Sequence, residues 1–475
     1  MVFKMKHNWS LLTALLLAVI SIYSCSPDEF GFTPTPSPGR TEDRPSVRVP
    51  VKDWEDVFIV YSMGYNDLDK FIRDDIKELL TSPLMTNPRD VMLIFSHLAN
   101  HYPGEYYSRW NEPTKPTLTQ ISRNIDGTIQ SDTIKIWPDT QIGVDTRTLN
   151  EVLTLVKENY DAERYGMLMS SHGSGWCPSG YLSDPSKHET SSPTDDDNPL
   201  EIYRAQAEPP LLYNLARPDE IPVKSMGAHF ITKYEAIEME IQDMAAAFPF
   251  KMDYLIFDAC FMGAVEVAYE LRNVTDIFIA SQTEIIADGM DYQTMAKYIY
   301  ETDEPDLRGF CQRFFDHYNA QSGQYRSATI SMVDCSRLED LATVCKDIFS
   351  NYRENLALIK EDRAKIQKYY RSSQSNHRWF FDLGDIIKNC GPSPEDQAKF
   401  DEALNNTILY KAATPVFMSS FYINAHSGLS MYLPYTTGRD YLNNFYKSLE
   451  WNKATGLIQQ TEFPDAGSEI SNKII

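Results

Sequence analysis

Short apolar runs alternate along the chain with segments of helical periodicity. Five runs are short and rich in β-branched or aromatic residues, which predicts buried strands, and a sixth is a candidate. They span residues 56–64, 90–99, 165–171, 253–259, 277–281 and, for the candidate, 327–333. Buried strands that alternate with helices are typical of βαβ units. The pattern therefore predicts an α/β fold in which helices cover both faces of a mostly parallel sheet.

The segments between these runs are mostly helical. Apolar residues recur at helical spacing over 66–80, 145–160 and 231–248, and residues 336–412 are rich in helical patterns. Two β-like segments at 415–423 and 428–435 precede a final helix. Residues 104–137 are polar and β-rich, and NIDGTI within them signals a hairpin. We divide the folded part into a domain at 53–335 and a helix-rich C-terminal region at 336–475 that completes the fold.

Residues 177–226 interrupt this alternation. They carry eight prolines and the acidic run Asp195–Asp197, and they lack clear periodicity. A loop of this length in a folded domain is usually functional or flexible. We predict a flexible loop.

The N-terminus has the pattern of an export signal. Lys4 and Lys6 precede the apolar run LLTALLLAVI, and small Ser24 precedes Cys25. The stretch ISIYSC resembles a bacterial lipobox, which makes residues 1–24 a signal peptide and Cys25 the lipidated residue. The alternative is an ordinary secretory signal.

Residues 25–52 contain six prolines and predict an extended tether. Asp28 and Glu29 resemble the acidic export signal of some surface lipoproteins. We expect an exported bacterial lipoprotein of the outer membrane, facing the cell surface and bound to the membrane through its lipid.

Charge and cysteine content narrow the choice of partners. The formal net charge is −23, and an anionic surface lacks the basic footprint that nucleic-acid binding requires. Six cysteines follow Cys25 at wide spacing, and several lie in apolar helical patterns. We interpret Cys311, Cys345 and Cys390 as buried free thiols. We expect a monomer.

Candidate chemistry lies at the ends of two predicted strands. SSHGSGW ends the third strand with His172 and Gly173, and DAC ends the fourth with Asp258 and Cys260. If these strands are neighbours, the imidazole and the thiol project from the same sheet edge, as a thiol–imidazole pair requires. The N–H groups of Gly173 and Cys260 could form an oxyanion hole. Separately, a structural histidine and a core thiol are the simpler interpretations.

These motifs, taken together, resemble those of the clostripain family of cysteine peptidases. HGSGW and DAC occur in the family's order, and VYSMGYNDLD, ADGMDY and SGLSMYLP resemble further family segments. The resemblance extends over residues 54–451. It implies an α/β/α sandwich of the caspase-haemoglobinase-like type and a cysteine endopeptidase that acts through His172 and Cys260.

The resemblance also implies a specificity. Family members prefer Arg or Lys before the cut, and Asp258 and Asp288 stand at the positions of the family's pocket acids. A buried guanidinium requires such a carboxylate partner. Alternatively, Asp258 accepts backbone N–H bonds and Asp288 belongs to a turn. Partners are then protein or peptide substrates with Arg or Lys before the cut.

Relatives are often activated by a cut after a basic residue between the two motifs. Candidate sites here are Lys187, Arg204, Arg217 and Lys224. The alternative is a variable surface loop that is never cut.

Cofactors are not required by this chemistry. Some relatives use Ca²⁺, but the consecutive carboxylates Asp195–Asp197 lack interleaved carbonyl ligands and favour a solvated charge run. We assign no metal ligands. Two other functions stay open, a non-proteolytic surface-binding lipoprotein with the same fold and a thiol hydrolase of small amides.

Overall fold

A nine-stranded sheet lies at the centre of the computed structural model. The structure describes residues 54–66, 68–81, 85–99, 113–181, 223–224, 228–232, 235–371, 379–435 and 439–459. The strands of the central sheet are β1 (Trp54–Met63), β2 (Val91–His97), β3 (Thr117–Arg123), β4 (Ile129–Ile136), β5 (Ala162–Ser170), β10 (Met252–Asp258), β11 (Thr275–Ala280), β13 (Thr329–Asp334) and β15 (Ile408–Ala413). Shorter strands are β6 (His172–Gly173), β7 (Val223–Lys224), β8 (Ala228–Thr232), β9 (Glu235–Glu238), β12 (Ile285–Ile286), β14 (Phe381–Asp382), β16 (Val416–Phe417), β17 (Phe421–Tyr422) and β18 (Ser430–Met431).

The sheet has a parallel centre and antiparallel edges. Its order is β15-β13-β11-β10-β5-β1-β2-β3-β4. The five strands from β11 to β2 run parallel, whereas the two outer strands at each edge run antiparallel. The central strands are almost entirely buried, as expected for parallel strands covered on both faces. The mostly parallel sheet predicted from the apolar runs is therefore present.

Helices occupy both faces of this sheet. They are α1 (Asp69–Thr81), α2 (Thr146–Asn159), α3 (Ile241–Ala247), α4 (Val265–Glu270), α5 (Tyr292–Tyr300), α6 (Leu307–Asn319), α7 (Leu338–Asn351), α8 (Arg353–Glu361), α9 (Leu383–Asn389), α10 (Pro394–Thr407), α11 (Asp440–Ser448) and α12 (Glu450–Thr455). Helices α1, α5 and α6 pack together, and α2, α3 and α4 form a second group. The described residues belong to one compact unit that includes the helix-rich C-terminal region.

One predicted helix is wrong in its first half. Residues 231–248 read as a continuous helix in the sequence, but the structure contains β8 and β9, and α3 begins only at Ile241. Glu238 and Glu240 instead accept hydrogen bonds from the N–H groups of Gly180 and Ser179. These tertiary contacts favour an extended backbone over the helix that the local composition favours.

The three cysteines predicted to be free thiols lie in the core. Cys311, Cys345 and Cys390 are buried and free, as predicted.

Within the described part of the chain, no helix has the length and apolarity needed to cross a bilayer. The predicted signal peptide, the predicted lipidation site Cys25 and the predicted tether at 25–52 lie outside the described residues.

Candidate active site

The ends of β5 and β10 bring His172 and Cys260 to the same edge of the sheet. The two strands are parallel neighbours, and Asp258 pairs with Ser170 in the register. His172 and Cys260 each follow that pair by two residues. Both side chains are buried, His172 with 4% and Cys260 with 0% of its surface exposed. The carboxyl edge of a parallel sheet is where α/β proteins place their ligands.

Gly173 holds the two loops in direct contact. A Cβ atom at this position would lie 2.3 Å from the carbonyl oxygen and 2.8 Å from the nitrogen of Cys260. These distances are far inside van der Waals contact, so a side chain here would push the loops apart. The backbone of the Cys260 loop therefore occupies the space that a side chain at position 173 would need.

The turn after Cys260 is strained. Phe261 has a φ of 61°, in the left-handed region that bulky residues rarely adopt. Its N–H donates to the carbonyl oxygen of Thr283, and its ring stacks on Phe380 with centroids 4.5 Å apart. These contacts fix the strand-to-helix turn that presents Cys260. Strained backbone of this kind is concentrated at functional sites.

The thiol of Cys260 is enclosed by the backbone of Ile285. The Ile285 N–H donates to Sγ at 3.1 Å, and the Ile285 carbonyl oxygen lies 3.8 Å from Sγ as an acceptor for the thiol. Burial raises the pKa of the Cys260 thiol well above its usual value, and the Glu284 carboxylate adds to this rise. The Ile285 N–H and the Arg371 guanidinium oppose the rise. The thiol is therefore protonated at neutral pH in this conformation and is a poor nucleophile.

A second short strand lies against Ile285. Strand β12 pairs antiparallel with β7, and Lys224 stands opposite Ile285 in the register. Lys224 is one of the four basic residues predicted as processing sites. The other three, Lys187, Arg204 and Arg217, lie outside the described residues, as does Asp195–Asp197.

A buried ion pair fixes the residue before Ile285. The Arg371 guanidinium donates from two nitrogens to the two carboxylate oxygens of Glu284, each at 2.8 Å. Both side chains are largely buried, with 7% and 1% exposed. This bidentate geometry is the strong form of an arginine–carboxylate contact. No local pattern in the sequence marks this pair, because its partners lie 87 residues apart.

Asp258 lies in the protein interior at the end of β10. Its side chain is fully buried, and it accepts hydrogen bonds from the Tyr292 hydroxyl at 2.7 Å and the Ser170 hydroxyl at 3.4 Å. Burial raises the pKa of Tyr292, and the Asp258 carboxylate raises it further. Tyr292 belongs to the motif ADGMDY, but its contact with Asp258 was not predicted.

Asp288 is exposed, in the turn that joins β12 to α5. The N–H of Gly289 donates to the carbonyl oxygen of Ile286 in this turn. Burial raises the pKa of Tyr318, and the carboxylates of Asp258 and Asp288 both add to the rise, so both lie within electrostatic reach of this one side chain. Burial also raises the pKa of Glu78, with contributions from Asp291, Asp74 and Asp288. This region is therefore rich in carboxylates.

Metal coordination has no candidate in this region. Across the described ranges, no group of three or more His, Cys, Asp or Glu side chains is arranged to hold a metal ion.

Comparisons with known proteins identify the family of this chain. The family model of the Clostripain family, Peptidase_C11, matches residues 60–198 and 223–461. Clostripain of Hathewaya histolytica is 22% identical over 439 residues, which cover 81% of this chain and 75% of that protein.

Two solved structures share the fold. An inactive zymogen of a C11 protease from Parabacteroides distasonis has a TM-score of 0.60 at 25% identity, over 84% of this chain and 97% of the other. The secreted C11 cysteine protease iotapain from Bacteroides thetaiotaomicron has a TM-score of 0.61 at 24% identity, over 85% and 99%. The predicted caspase-haemoglobinase-like fold is confirmed. The chain belongs to the clostripain family and is a cysteine protease.

Proposed function

We propose that this protein is a lipid-anchored endopeptidase that cleaves after Arg or Lys through His172 and Cys260. The observation that carries this proposal is the shared register of the two residues on β5 and β10, with Gly173 packed against the backbone of Cys260. The contact between the two loops brings a thiol and an imidazole to one sheet edge, which is the arrangement that nucleophilic catalysis by cysteine requires.

The reaction follows from these two groups. The Cys260 thiolate attacks the carbonyl carbon of the peptide bond, and the electron pair moves to the carbonyl oxygen. The Gly173 and Cys260 N–H groups are proposed to stabilise that oxyanion. Imidazolium at His172 then protonates the leaving amine, which gives an acyl-thioester. His172 next accepts a proton from water, whose oxygen attacks the thioester and releases the acid and the Cys260 thiol.

Asp258 and Asp288 support the preference for Arg or Lys. Asp258 is fully buried two residues before Cys260, and Asp288 is exposed in the turn before α5. The neighbouring Asp74 and Asp291 already pair with Lys70 and Arg313, so Asp258 and Asp288 are the carboxylates proposed to receive a cationic substrate side chain. We propose Asp258 for the base of the pocket and Asp288 for its entrance.

The pairing of β7 with β12 supports maturation by a cut after Lys224. Extended peptides commonly bind proteases and other partners by adding a strand to an exposed edge. Strand β7 adds to β12 in this way, and it places a basic residue opposite Ile285, whose backbone encloses the Cys260 thiol. We propose that β7 occupies the position of a substrate strand in the intact chain. Cleavage after Lys224 would release it and admit water to Cys260.

The lipid anchor is supported by the sequence alone. Cys25 follows an apolar signal segment and precedes a tether rich in proline. We propose an outer-membrane lipoprotein whose peptidase domain faces the cell surface.

Hydrolysis of a fluorogenic amide tests the proposed activity. Purified protein should hydrolyse a peptide with Arg or Lys before the fluorophore, and Cys260→Ala and His172→Ala should each lower kcat by about three orders of magnitude or more. Cys311→Ala is the matched control, since Cys311 is an equally buried thiol in α6. Full activity of Cys260→Ala would refute the assignment of the nucleophile.

A further inference from the structure

An apolar pocket lies beside His172 on the face of the sheet opposite Asp258. Side chains alternate between the two faces of a strand. Met169 and Ser171 therefore face one side and Ser170 the other, while Phe257 and Ala259 face away from Asp258. The pocket is lined by His172, Gly175, Ser171 and Ala259 and by the apolar side chains of Met63, Met169, Met239, Ile241, Met244, Phe257 and Met262.

The lining offers almost no polar group to a ligand. The Ser171 hydroxyl donates to the Met63 carbonyl oxygen at 2.8 Å and is thereby satisfied. His172 is the only ionisable residue among the lining residues. The chemistry of this lining suits an uncharged apolar group.

Hydrogen bonds to the carboxylates of Glu238 and Glu240 fix the wall of the pocket that contains Met239. Met239 lies between Glu238 and Glu240, which accept hydrogen bonds from the Gly180 and Ser179 N–H groups at 2.5 and 2.7 Å. These bonds join the segment before α3 to the turn that follows HGSGWC. Met239 and, on α3, Met244 are thereby positioned against the loop that carries His172.

The position of the pocket beside His172 indicates which part of a substrate it would contact. This inference rests on the proposed peptidase function. In that reaction, His172 protonates the leaving amine, so the chain on the carboxyl side of the cut departs past the imidazole. The pocket borders His172 and Ala259. Residues 284–286 pair with or adjoin the proposed substrate strand, and they do not line the pocket. It therefore adjoins the leaving half of the substrate.

We propose that this pocket binds the side chain of the residue that follows the cut, and that it selects uncharged apolar side chains. Burial of a charge among these methionines would be costly because His172, the one ionisable residue of the lining, is engaged with the leaving amine in the proposed reaction. Methionine walls adapt to different shapes. The pocket should therefore distinguish apolar from charged side chains strongly and apolar side chains from one another only weakly.

The test uses internally quenched peptides that differ only in the residue after Arg. With the matured full chain, kcat/KM should be at least about tenfold higher for Leu than for Asp, and Leu, Met and Phe should agree within a few-fold. In Met244→Lys, the ratio of Leu to Asp should fall at least about tenfold, because the added cation favours the carboxylate. The ratio is internal to each variant, so a general loss of active enzyme cancels.

Leu358→Lys is the matched control, since Leu358 is 69% exposed on α8 and should keep the wild-type ratio. Equal rates for Leu and Asp in the wild type would overturn the subsite, whether or not Met244→Lys folds. If the wild type also fails to hydrolyse an arginyl fluorogenic amide, which carries no residue after the cut, the proposed peptidase function fails as well. Hydrolysis of the amide without a preference for Leu would overturn the subsite alone.

Discussion

Two fully buried cysteines, Cys260 and Cys311, are enclosed in different ways. Burial raises the pKa of both thiols. Cys311 lies within the thirteen residues of α6, on which Phe310 and Phe314 are also buried. Cys260 follows a strand end and is covered by the two-residue strand β12, which pairs with the two-residue strand β7. A helix in the core can expose its thiol only by unfolding, whereas a short strand pair can separate locally.

This difference teaches that burial of a thiol is not by itself evidence against catalysis. The neighbours of the thiol are more informative. Cys260 contacts the N–H of Ile285 and lies near the ion pair of Glu284 and Arg371, and Gly173 holds it against the loop of His172. Strands β7 and β12 form the cover of Cys260, and the core around α6 forms the cover of Cys311. We infer that the cover of Cys260 is removable and that the cover of Cys311 is permanent.

Breaking the buried ion pair of Glu284 and Arg371, beside the cover of Cys260, should have the largest effect, and it should lower the stability of the protein. Arg371→Met leaves Glu284 buried without its cation and should lower the free energy of unfolding by about 3–5 kcal/mol. The double variant Glu284→Gln with Arg371→Met removes the unpaired charge and should recover much of that loss. Denaturant titration measures both. An Arg371→Met variant as stable as the wild type would contradict a structural role for the pair.

Loss of the proposed cut should have the next largest effect. In Lys224→Gln, β7 stays attached, and activity should fall roughly a hundredfold if the open state is populated at about 1%. Lys224→Arg keeps a basic residue and should mature normally. Intact mass spectrometry and hydrolysis of an arginyl amide check the two outcomes. Normal processing of Lys224→Gln would show that the chain is cut at another site.

A methyl group on Gly173 should separate the two loops. Gly173→Ala places its Cβ within 2.3 Å of the Cys260 carbonyl oxygen, and a displacement of the dyad by about 1 Å can lower the rate by about 10²-fold. Gly323→Ala is the control, since a Cβ there meets nothing within 4 Å and only the positive φ is strained. Equal kcat for Gly173→Ala and the wild type would show that the contact does not position the dyad.

Removal of the thiol in the permanent core should have the smallest effect. Cys311→Ala should lower stability by about 1 kcal/mol at pH 7 and leave activity unchanged. The folded-state pKa of Cys311 is raised, so its contribution to stability is complete below the ordinary thiol pKa and is lost as pH rises above it. By pH 10 the wild type should lose about 2 kcal/mol that the variant keeps, since the unfolded thiol ionises near pH 8.5. Parallel denaturation of both proteins at pH 7 and 10 measures this difference.

The sequence predicts those features that repeat along the chain. The strands at 54–63, 162–170 and 252–258 are close to the predicted runs, because burial on both faces requires uninterrupted apolar residues. The hairpin of β3 and β4 follows from NIDGTI in the same way. The pairing of β5 with β10 was a condition for bringing His172 and Cys260 together, and the structure meets it.

Features that depend on distant contacts were not predicted. The contact of Glu284 with Arg371 and the pairing of Ile285 with Lys224 join segments far apart in sequence, and neither leaves a local pattern. Residues 231–240 have the composition of a helix, but their carboxylates bind the turn after HGSGWC. Met239 and Met244 line the pocket through this same tertiary arrangement, which sequence spacing alone does not reveal.

Alkylation of Cys260 before and after maturation tests the central claim most directly. An arginyl chloromethyl ketone or iodoacetamide is added at pH 7 to Lys224→Gln and to the matured wild type, and peptide mass spectrometry locates the label. The account predicts that Cys260 and Cys311 both resist in the uncut variant and that only Cys260 reacts after the cut. Equal labelling of Cys260 in both proteins, or no labelling after the cut, would contradict the removable cover.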